Sequence, residues 1–362
     1  MQRILVIGGG ASGMMAAGQA ACMGARVDLL EKMNHPGNKI AISGRGRCNL
    51  TNNSAITDYI DHFNRDGRFL HQSFSRFFAP QLIQFFHEIG LPTVTERGNR
   101  VFPAGNQAFD VVAALQRWLK NCGVTLHTKS TVTRLIIENN RIAGAAVATR
   151  DGERIMACDA AILATGGASY PATGSSGDGY SLAGDAWHSI TALRPALVPL
   201  LVNDPSLYSL AGLDLKNIGV RVSIDGKRKK VDFGEVSFTR FGMGGPVILT
   251  HSLLIVDALR AGKKAVIALD LKPALDERKL DNRLLRDFEK RATENLSSVL
   301  RGVLPHKMVA VALHFCALDG DTPAGRVDSR QRARLRTWLK DFRLVITGHR
   351  PLSEAIITAG GV

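Results

Sequence analysis

The chain opens with a short apolar run that ends in glycines. Residues 4–9 (ILVIGG) are mostly branched and apolar, residues 11–24 are mostly small, and residues 26–31 form a second, largely apolar run. Apolar runs of this length favour buried strands, and the small-residue stretch between them favours a helix. The pattern therefore predicts a β-α-β unit at the start of the chain.

Downstream, strand-like and helix-like patterns alternate. Apolar residues recur with helical spacing over residues 69–90 and 108–122, and residues 160–165 (AAILAT) resemble another buried strand, followed by a Gly- and Ser-rich stretch that predicts a loop. Residues 193–271 favour mostly strands, and residues 275–342 favour mainly helices. These patterns predict a nucleotide-binding α/β domain with an inserted domain of strands and helices.

Three glycines follow the first predicted strand with the spacing Gly8-x-Gly10-x-x-Gly13, and Glu31 ends the second strand. In dinucleotide-binding folds the first glycine makes the tight turn, the second lets the backbone approach the pyrophosphate, and the third allows close packing of helix on sheet. An acidic residue at the position of Glu31 accepts hydrogen bonds from ribose hydroxyls. The motif predicts a site for FAD or NAD; the alternative is a glycine-rich turn without a ligand.

A polar, glycine-rich stretch, SGRGRCNLTN, occupies residues 43–52 and predicts an ordered loop. Lys39, Arg45 and Arg47 supply cations for a diphosphate, and the glycines between the arginines let backbone N–H groups approach it. We expect this loop to hold the phosphates and to close over the ring of the cofactor. The alternative places the arginines in solvent and makes Cys48 a small buried thiol. For Cys48 this second interpretation is favoured, because free cysteines are usually buried.

A second glycine-containing element, Ala164-Thr165-Gly166-Gly167, ends the strand pattern of residues 160–165. It resembles the Ala-Thr-Gly element of two-dinucleotide-binding flavoproteins, which packs near bound FAD. This resemblance favours FAD over NAD; the alternative is an ordinary turn from strand to loop.

Apolar runs and cysteines narrow the class of protein. The longest apolar runs fall far short of the roughly 20 residues that span a bilayer, and the N-terminus enters a strand at once, so we expect a cytoplasmic protein without signal peptide or anchor. The five cysteines have no CxxC or Cys/His metal spacing. Their pattern argues against zinc, iron–sulfur clusters and a disulfide framework, and it predicts reduced thiols and no metal site.

The charge is strongly positive and uneven. The formal net charge is +14, with 18 Lys and Arg against 14 Asp and Glu in residues 1–190 but 28 against 18 in residues 191–362. Two basic runs, over residues 226–230 and 326–343, suggest attraction to a phosphate backbone, although no RNA-binding motif accompanies them and a solvated basic surface is the alternative. The candidate contacts with such a backbone are Lys227, Arg228, Lys229, Lys230, Arg330 and Arg334.

Six motifs in this order resemble one family. The glycine fingerprint, PGNKIAISGRGRCNLTN, NRVFP, ILATGG, FTRFGMGGPVIL and AIITAGGV are similar to segments of the BaiN/RdsA-type NAD(P)/FAD-dependent oxidoreductases (aminoacetone-oxidase-like flavoproteins). The resemblance spans the chain, and its loop motif is highly specific. It implies FAD as cofactor, reduced NAD(P)H as electron donor, and an α/β fold: a Rossmann-like FAD-binding domain (residues 1–192, with 343–362 returning to it), an inserted β-barrel-like domain (193–272) and a helical subdomain (273–342).

The motifs and the resemblance together designate a set of site residues. Three are candidate catalytic residues because their loops are expected near the flavin ring: Arg47, Cys48 and Tyr170. The expected FAD-binding residues are Gly8, Gly10, Ala11, Ser12, Gly13, Glu31, Lys32, Lys39, Ser43, Gly44, Arg47, Cys48, Asn49, Val132, Ala164, Thr165 and Gly166.

The sequence departs from the family pattern in three places. Arg45 replaces a third glycine of the loop, and Arg240 and Gly244 replace a histidine and a serine, which puts any role of that histidine in doubt. Family members also continue past the Thr-Ala-Gly-Gly-Val segment into a further strand and helix of the flavin site, whereas this sequence ends at Val362. We therefore expect a flavin site that lacks this C-terminal segment.

Three hypotheses of function follow. The first is an enzyme in which reduced flavin delivers hydride to a polarised C=C bond, either of a uridine in rRNA or of a steroid enone of the bile-acid type. The second is a non-catalytic RNA-associated module or truncated paralogue, and the third is a simple NAD(P)H oxidase. No feature of the sequence indicates an oligomeric state or chooses between NADH and NADPH.

Overall fold

The computed structural model describes the backbone of residues 1–362 and all side chains except those of residues 61 and 64–66. The chain divides into two compact units, residues 1–191 together with 362 and residues 192–361. Among the residues described, no helix is both long and apolar enough to cross a lipid bilayer.

The first unit is built on a parallel four-stranded sheet with the strand order β10-β1-β2-β6. Helix α1 (Ala11–Cys22) connects β1 to β2, which confirms the predicted β-α-β unit. Strand β10 pairs with β1 on the other side, in register from Ile4↔Ala160 to Ile7↔Leu163. The strands are β1 Arg3–Ile7, β2 Arg26–Leu30, β6 Thr125–His127 and β10 Ala160–Leu163.

Both faces of the parallel sheet are buried, which explains why β1 is apolar at successive positions. Val6 points into a core formed with α1 and α6 (Ala108–Asn121), whereas Leu5 and Ile7 point to the opposite face. That face packs against an antiparallel sheet of order β7-β8-β9, formed by Thr131–Glu138, Arg141–Thr149 and Gly152–Ala157. The carboxyl ends of β1, β2 and β10 are left facing the loops that carry the predicted motifs.

The remaining elements of the first unit surround this framework. A small antiparallel sheet has the order β3-β5-β4, with β3 Thr51–Asn52, β4 Thr93–Glu96 and β5 Arg100–Pro103. The other helices are α2 Asn38–Ile42, α3 Ile56–Asp61, α4 His71–Arg76, α5 Ala79–Glu88 and α7 Asp178–Asp185, with 3-10 turns at Ser43–Gly46, Asn64–Leu70 and Pro171–Thr173.

The second unit contains an antiparallel seven-stranded sheet and most of the remaining helices. The strand order is β17-β16-β13-β14-β15-β12-β18, and β11 pairs with β19 in a separate two-stranded sheet. The strands are β11 Thr191–Ala196, β12 Leu200–Leu201, β13 Asp214–Ile224, β14 Lys227–Thr239, β15 Gly242–Gly244, β16 Ala265–Asp270, β17 Phe342–Ile346, β18 Gly348–His349 and β19 Ile357–Gly361. The helices are α8 Pro246–Arg260, α9 Glu277–Lys290, α10 Leu296–Leu300, α11 His306–Cys316 and α12 Ser329–Lys340, with 3-10 turns at Pro205–Leu210, Ala324–Arg326 and Leu352–Glu354.

The sheets and helices confirm the predicted fold class of a Rossmann-type α/β domain joined to a region of antiparallel strands and helices. In three places the structure differs from the expectation. A helix, α8, interrupts the region read as mostly strands, and α7 begins at Asp178, inside the stretch read as a loop. Residues 343–346, the start of the segment 343–362 expected to return to the first domain, lie in β17 and pair with β16, where the alternating apolar residues of β17 complete the buried face of the seven-stranded sheet.

Candidate functional site

The glycine turn between β1 and α1 assigns a separate role to each glycine. Gly8 has φ +107°, and a Cβ there would lie 2.4 Å from the carbonyl oxygen of Ala164. A Cβ on Gly13 would lie 1.8 Å from the carbonyl oxygen of Gly8, so this glycine lets α1 pack on the turn. At Gly10 a Cβ would meet no atom of the described side chains or backbone within 4 Å. The space in front of Gly10 therefore lies open at the N-terminus of α1, where unpaired N–H groups favour an anion.

Glu31 directly follows β2 beside this turn and is buried, with 9% of its surface exposed. Its Oε2 accepts a hydrogen bond of 2.8 Å from the Gly9 N–H, and its Oε1 accepts one of 2.8 Å from the Met33 N–H. A carboxylate has further lone pairs beyond these two bonds. Glu31 thus fixes the turn and can still accept a hydrogen bond from a ligand hydroxyl.

Two lysines follow β2 and are held by the loop after β10 and by the first residue of α7. Lys39 Nζ donates to Ser175 Oγ at 2.8 Å and to the Ser169 carbonyl at 3.2 Å, and burial lowers the pKa of this lysine. Lys32 Nζ forms an ion pair of 2.5 Å with Asp178. Burial opposes ionisation of Asp178, but the hydrogen bonds from Lys32 and Ser176 prevail and hold its pKa below the ordinary value. Both lysines are therefore anchored at one side of the site.

The loop over residues 43–52 is an ordered turn, as expected, and short helix α2 precedes it. Gly44, Arg45 and Cys48 all have left-handed backbones, with φ of 57°, 59° and 57°. A Cβ on Gly44 would lie 2.8 Å from the backbone nitrogen of Asn49, so the turn closes tightly there. Cys48 is 5% exposed, and burial raises the pKa of its thiol, partly offset by a hydrogen bond with Ser43. At neutral pH this side chain is a thiol and not a nucleophilic thiolate.

Arg47 is directed towards the β4–β5 hairpin. Its guanidinium forms an ion pair with Glu96, donates from Nε to Asn106 Oδ1 at 3.0 Å, and lies 4.1 Å from the ring centroid of Phe102. The Arg47 hydrogen bond, partly opposed by desolvation, lowers the pKa of Glu96. The side chain proposed for phosphate binding is thus engaged by protein partners.

The element after β10 closes the site from the other side. The Ala164 N–H donates to the Ile7 carbonyl at 2.8 Å, which continues the parallel pairing to the glycine turn. Gly166 has φ +76°, and a Cβ on Gly179 would lie 1.9 Å from Thr165 Oγ1. The start of α7 can approach Thr165 this closely only because residue 179 lacks a side chain.

These elements enclose a cavity of about 650 Å³ within the first unit, a volume typical of cofactor sites. Gly13, Gly44, Arg47 and Tyr170 are not part of its lining. Tyr170 has φ +54°, is 39% exposed, and its carbonyl accepts a hydrogen bond from Thr173. The predicted residues that do line the cavity are Gly8, Gly10, Ala11, Ser12, Glu31, Lys32, Lys39, Ser43, Cys48, Asn49, Val132, Ala164, Thr165 and Gly166.

The same cavity has an apolar wall that none of the sequence motifs predicts. Its members come from α1, the loop over residues 43–52, the turn between α4 and α5, α5 itself and α6: Met15, Leu50, Phe77, Leu82, Phe86, Val111 and Leu115. In α5 and α6, the spacing of four residues between Leu82 and Phe86 and between Val111 and Leu115 indicates a buried face. Spacing alone does not tell a face that packs on protein from one that borders a cavity.

The predicted RNA contacts lie in the second unit. Lys227, Arg228, Lys229 and Lys230 are all exposed at the start of β14, next to the turn of the β13–β14 hairpin. On α12, the exposed positions include the two arginines named in the sequence analysis, Arg330 and Arg334. Among the side chains that the structure describes, no cluster of three His, Cys, Asp or Glu is placed to hold a metal ion.

Comparison with known proteins gives consistent matches over the whole chain. The family model described as "HI0933-like protein Rossmann domain" matches residues 2–362. The 3-dehydro-bile acid delta(4,6)-reductase of Clostridium scindens is 31% identical over 100% of this chain and 87% of the relative. The ribosomal RNA dihydrouridine synthase of Escherichia coli is 26% identical over 99% of this chain and 84% of the relative.

Among solved structures, the open conformation of a flavocytochrome c3 fumarate reductase matches with a TM-score of 0.45 and 17% identity, over 95% of this chain and 66% of that one. The family match and the bile-acid reductase each cover essentially the whole chain, and they confirm the resemblance drawn from the motifs. This chain belongs to the HI0933-like family, the BaiN/RdsA-type oxidoreductases.

Proposed function

We propose that this FAD-dependent oxidoreductase takes electrons from NAD(P)H and uses them to reduce a polarised C=C bond. The observation that carries the proposal is the cavity at the carboxyl edge of the parallel sheet, where the glycine turn, Glu31 and Lys39 meet an apolar wall. The names of the two relatives, a delta(4,6)-reductase and a dihydrouridine synthase, both describe loss of a C=C bond.

The residues present fit a dinucleotide. Gly10 leaves open the space that a Cβ would fill, at the helix end where a pyrophosphate is best stabilised. Glu31 lies at the end of β2, where a carboxylate accepts hydrogen bonds from a ribose. Lys39 brings a cation to the same cavity. FAD, when bound, supplies a ring that can accept hydride from a nicotinamide and pass it to an acceptor.

The chain itself contributes binding, orientation and exclusion of water. The backbone N–H groups of Ala11 and Ser12 at the start of α1 would hold phosphate oxygens, and Glu31 would orient the ribose. Phe77, Leu82 and Phe86 give the cavity an apolar wall, which excludes water from the reacting atoms. Since Cys48 is a thiol at neutral pH and lines the cavity, it would act there as a weak hydrogen-bond donor.

We propose a uridine of structured RNA as the first candidate substrate. The four consecutive cations of the β14 start are exposed, and the chain has a pI of about 9.9. Such a surface attracts a phosphate backbone without reading its sequence. The dihydrouridine synthase relative supports this candidate.

A steroid-type enone is the second candidate. The apolar wall of the cavity favours an apolar substrate, and the bile-acid reductase is the more similar of the two relatives named above. This candidate assigns no role to the basic hairpin.

The experiment begins with the chain purified with added FAD. Its flavin stoichiometry is measured after gel filtration, and bleaching of the flavin by NADH and by NADPH is followed without oxygen. The oxidised enzyme is then given each nicotinamide together with either an unmodified rRNA transcript, read out by dihydrouridine mapping, or a conjugated steroid dienone, read out by loss of its ultraviolet absorption.

The outcomes separate the hypotheses. Dihydrouridine in the transcript supports the first candidate, and consumption of the dienone supports the second. Flavin reduction with oxygen as the sole acceptor supports a simple NAD(P)H oxidase. A chain that binds RNA but takes up no FAD would overturn the proposal in favour of a non-catalytic RNA-associated module.

A further inference from the structure

Two of the five cysteines lie against each other, at the edge of the first unit. The Sγ atoms of Cys22 and Cys122 are 2.8 Å apart. Cys22 is exposed and Cys122 is half-buried, whereas Cys48, Cys158 and Cys316 are buried. All five cysteines are among the described side chains, so this is the one thiol pair in contact in the chain.

The pair lies at the same end of two packed helices. Cys22 is the last residue of α1, and Cys122 directly follows α6. One turn earlier, a Cβ on Gly18 would lie 2.1 Å from the ring of Trp118, so the two helices approach as closely as a glycine allows. Because residues four apart lie on the same face of a helix, the Gly18–Trp118 contact sets the position of both thiols.

We propose that Cys22 and Cys122 form a redox modification site: a hydroperoxide oxidises the pair to an intramolecular disulfide that fastens α1 to α6. The sulfurs need to close only from 2.8 Å to the disulfide bond length of about 2.05 Å. The bond would close a loop of about 100 residues, the class of cross-link that restricts the unfolded chain most.

Hydrogen peroxide serves as the two-electron oxidant of the thiol pair. The exposed Cys22 sulfur attacks one peroxide oxygen, the O–O bond breaks, and a sulfenic acid and water form. The Cys122 sulfur then attacks the Cys22 sulfur, the S–S bond forms, and the sulfenic oxygen leaves as a second water with the proton of the Cys122 thiol. The two sulfurs together lose two electrons, and the peroxide gains them.

The environment of the pair fits a durable cross-link more than a fast switch. Burial and the contact with Cys22 raise the pKa of Cys122 to about 11. A thiol of high pKa is a poor leaving group, so attack by an external thiol on the Cys22 sulfur would displace Cys122 slowly. The disulfide, once formed, would resist reduction by monothiols, whereas a dithiol such as dithiothreitol, which closes its own disulfide, would still reduce it.

The cross-link would join two helices that line the cofactor cavity. Met15 of α1 and Val111 and Leu115 of α6 all line that cavity. A bond between the C-terminal ends of these helices would hold two of its walls together. This inference does not depend on the substrate or on flavin turnover, because the oxidant can be added directly.

The test uses the full chain, fully reduced and freed of reductant, then treated with hydrogen peroxide. Titration of the unfolded protein should show that two thiols have been lost from the five present. Tryptic mapping should find the peptides of Cys22 and Cys122 joined, with a mass lower than their sum by two hydrogens. The thermal midpoint of the first unit should rise on the order of 5 °C and return when dithiothreitol reduces the bond.

Matched variants decide the assignment. Cys22→Ser and Cys122→Ser should each abolish the joined peptide and the rise in midpoint, whereas Cys316→Ala, in the second unit, should keep both. Loss of thiols only as sulfinic acid, or as a Cys22 disulfide between two chains, would overturn the proposal. A joined peptide without any rise in midpoint would refute the fastening of α1 to α6.

Discussion

Glu31 holds the glycine turn in place through Gly9: the buried carboxylate accepts the Gly9 N–H at 2.8 Å from the end of the neighbouring strand. The same carboxylate accepts the Met33 N–H at 2.8 Å, so it joins the turn before α1 to the turn after β2. An acidic residue at this position is usually explained by its ribose contact alone. Here it also stabilises the protein that must bind the ribose.

Glu31→Gln should therefore weaken folding as well as FAD binding. The amide oxygen can accept only one of the two hydrogen bonds well, and its NH₂ group then faces a backbone donor. Losing a charged, buried hydrogen bond costs about 1.5–3 kcal/mol in the free energy of unfolding. Urea denaturation of the FAD-free chain measures this loss. Glu138→Gln, at an exposed position, is the control, and equal stability of both variants would argue that Glu31 serves the ligand only.

Alanine substitution should affect FAD binding at Gly10 and folding stability at Gly13. A Cβ on Gly10 lies more than 4 Å from every atom that the structure describes, so Gly10→Ala should leave the free energy of unfolding within about 0.5 kcal/mol of the native value while weakening FAD binding. A Cβ on Gly13 would lie 1.8 Å from the Gly8 carbonyl oxygen, which cannot rotate away. Gly13→Ala should therefore lower the free energy of unfolding by about 3 kcal/mol. Urea denaturation without FAD and a fluorescence titration with FAD separate the two effects. If Gly10→Ala bound FAD as tightly as the native chain, the open space would not be the phosphate site.

The Arg47–Glu96 ion pair should stabilise the first unit at neutral pH, and this stabilisation should be lost in acid. The folded-state pKa of Glu96 is lowered from 4.5, chiefly by the Arg47 hydrogen bond, so the folded state favours the carboxylate. The contribution is fully present above the unfolded pKa and is lost as the pH falls through the lowered folded pKa. Thermal midpoints of the native chain and Glu96→Gln, measured from pH 7 to pH 3, should differ at neutral pH and converge at the acid end. A difference that persists unchanged to pH 3 would show that the charge on Glu96 is not its cause.

The elements that the sequence predicts best are those whose signals are local. The glycine turn at Gly8–Gly10 follows an apolar strand and leads directly into a small-residue helix, and Glu31 directly follows the next strand. Each glycine restricts the local backbone strongly, because few other residues adopt a positive φ and none fits where a Cβ would clash. The dinucleotide site can therefore be predicted from the sequence without knowledge of any tertiary contact.

The features that the sequence does not predict depend on distant partners. Arg47 reaches Glu96 and Asn106, which are 49 and 59 residues away, so its pattern in the loop indicates a cation but not its destination. Five of the 15 residues of helix α8 are Ile, Val or Thr, which favour strands, and its helical state follows from packing on the seven-stranded sheet. Gly245 followed by Pro246 is the local signal that could have marked its start.

The basic start of β14 should control RNA binding through its charges. Replacing Lys227, Arg228, Lys229 and Lys230 together by glutamine should weaken binding to an rRNA transcript and reduce the slope of log affinity against log salt by about 3, since each lost phosphate contact contributes roughly 0.7–0.9. Fluorescence anisotropy across a salt series measures both. The matched control removes four cations from α9, as Arg278→Gln, Lys279→Gln, Arg286→Gln and Lys290→Gln, and so has the same net charge. Equal losses in the two variants would assign RNA attraction to the overall charge and not to this hairpin, whereas a loss confined to the β14 variant would make the hairpin the contact.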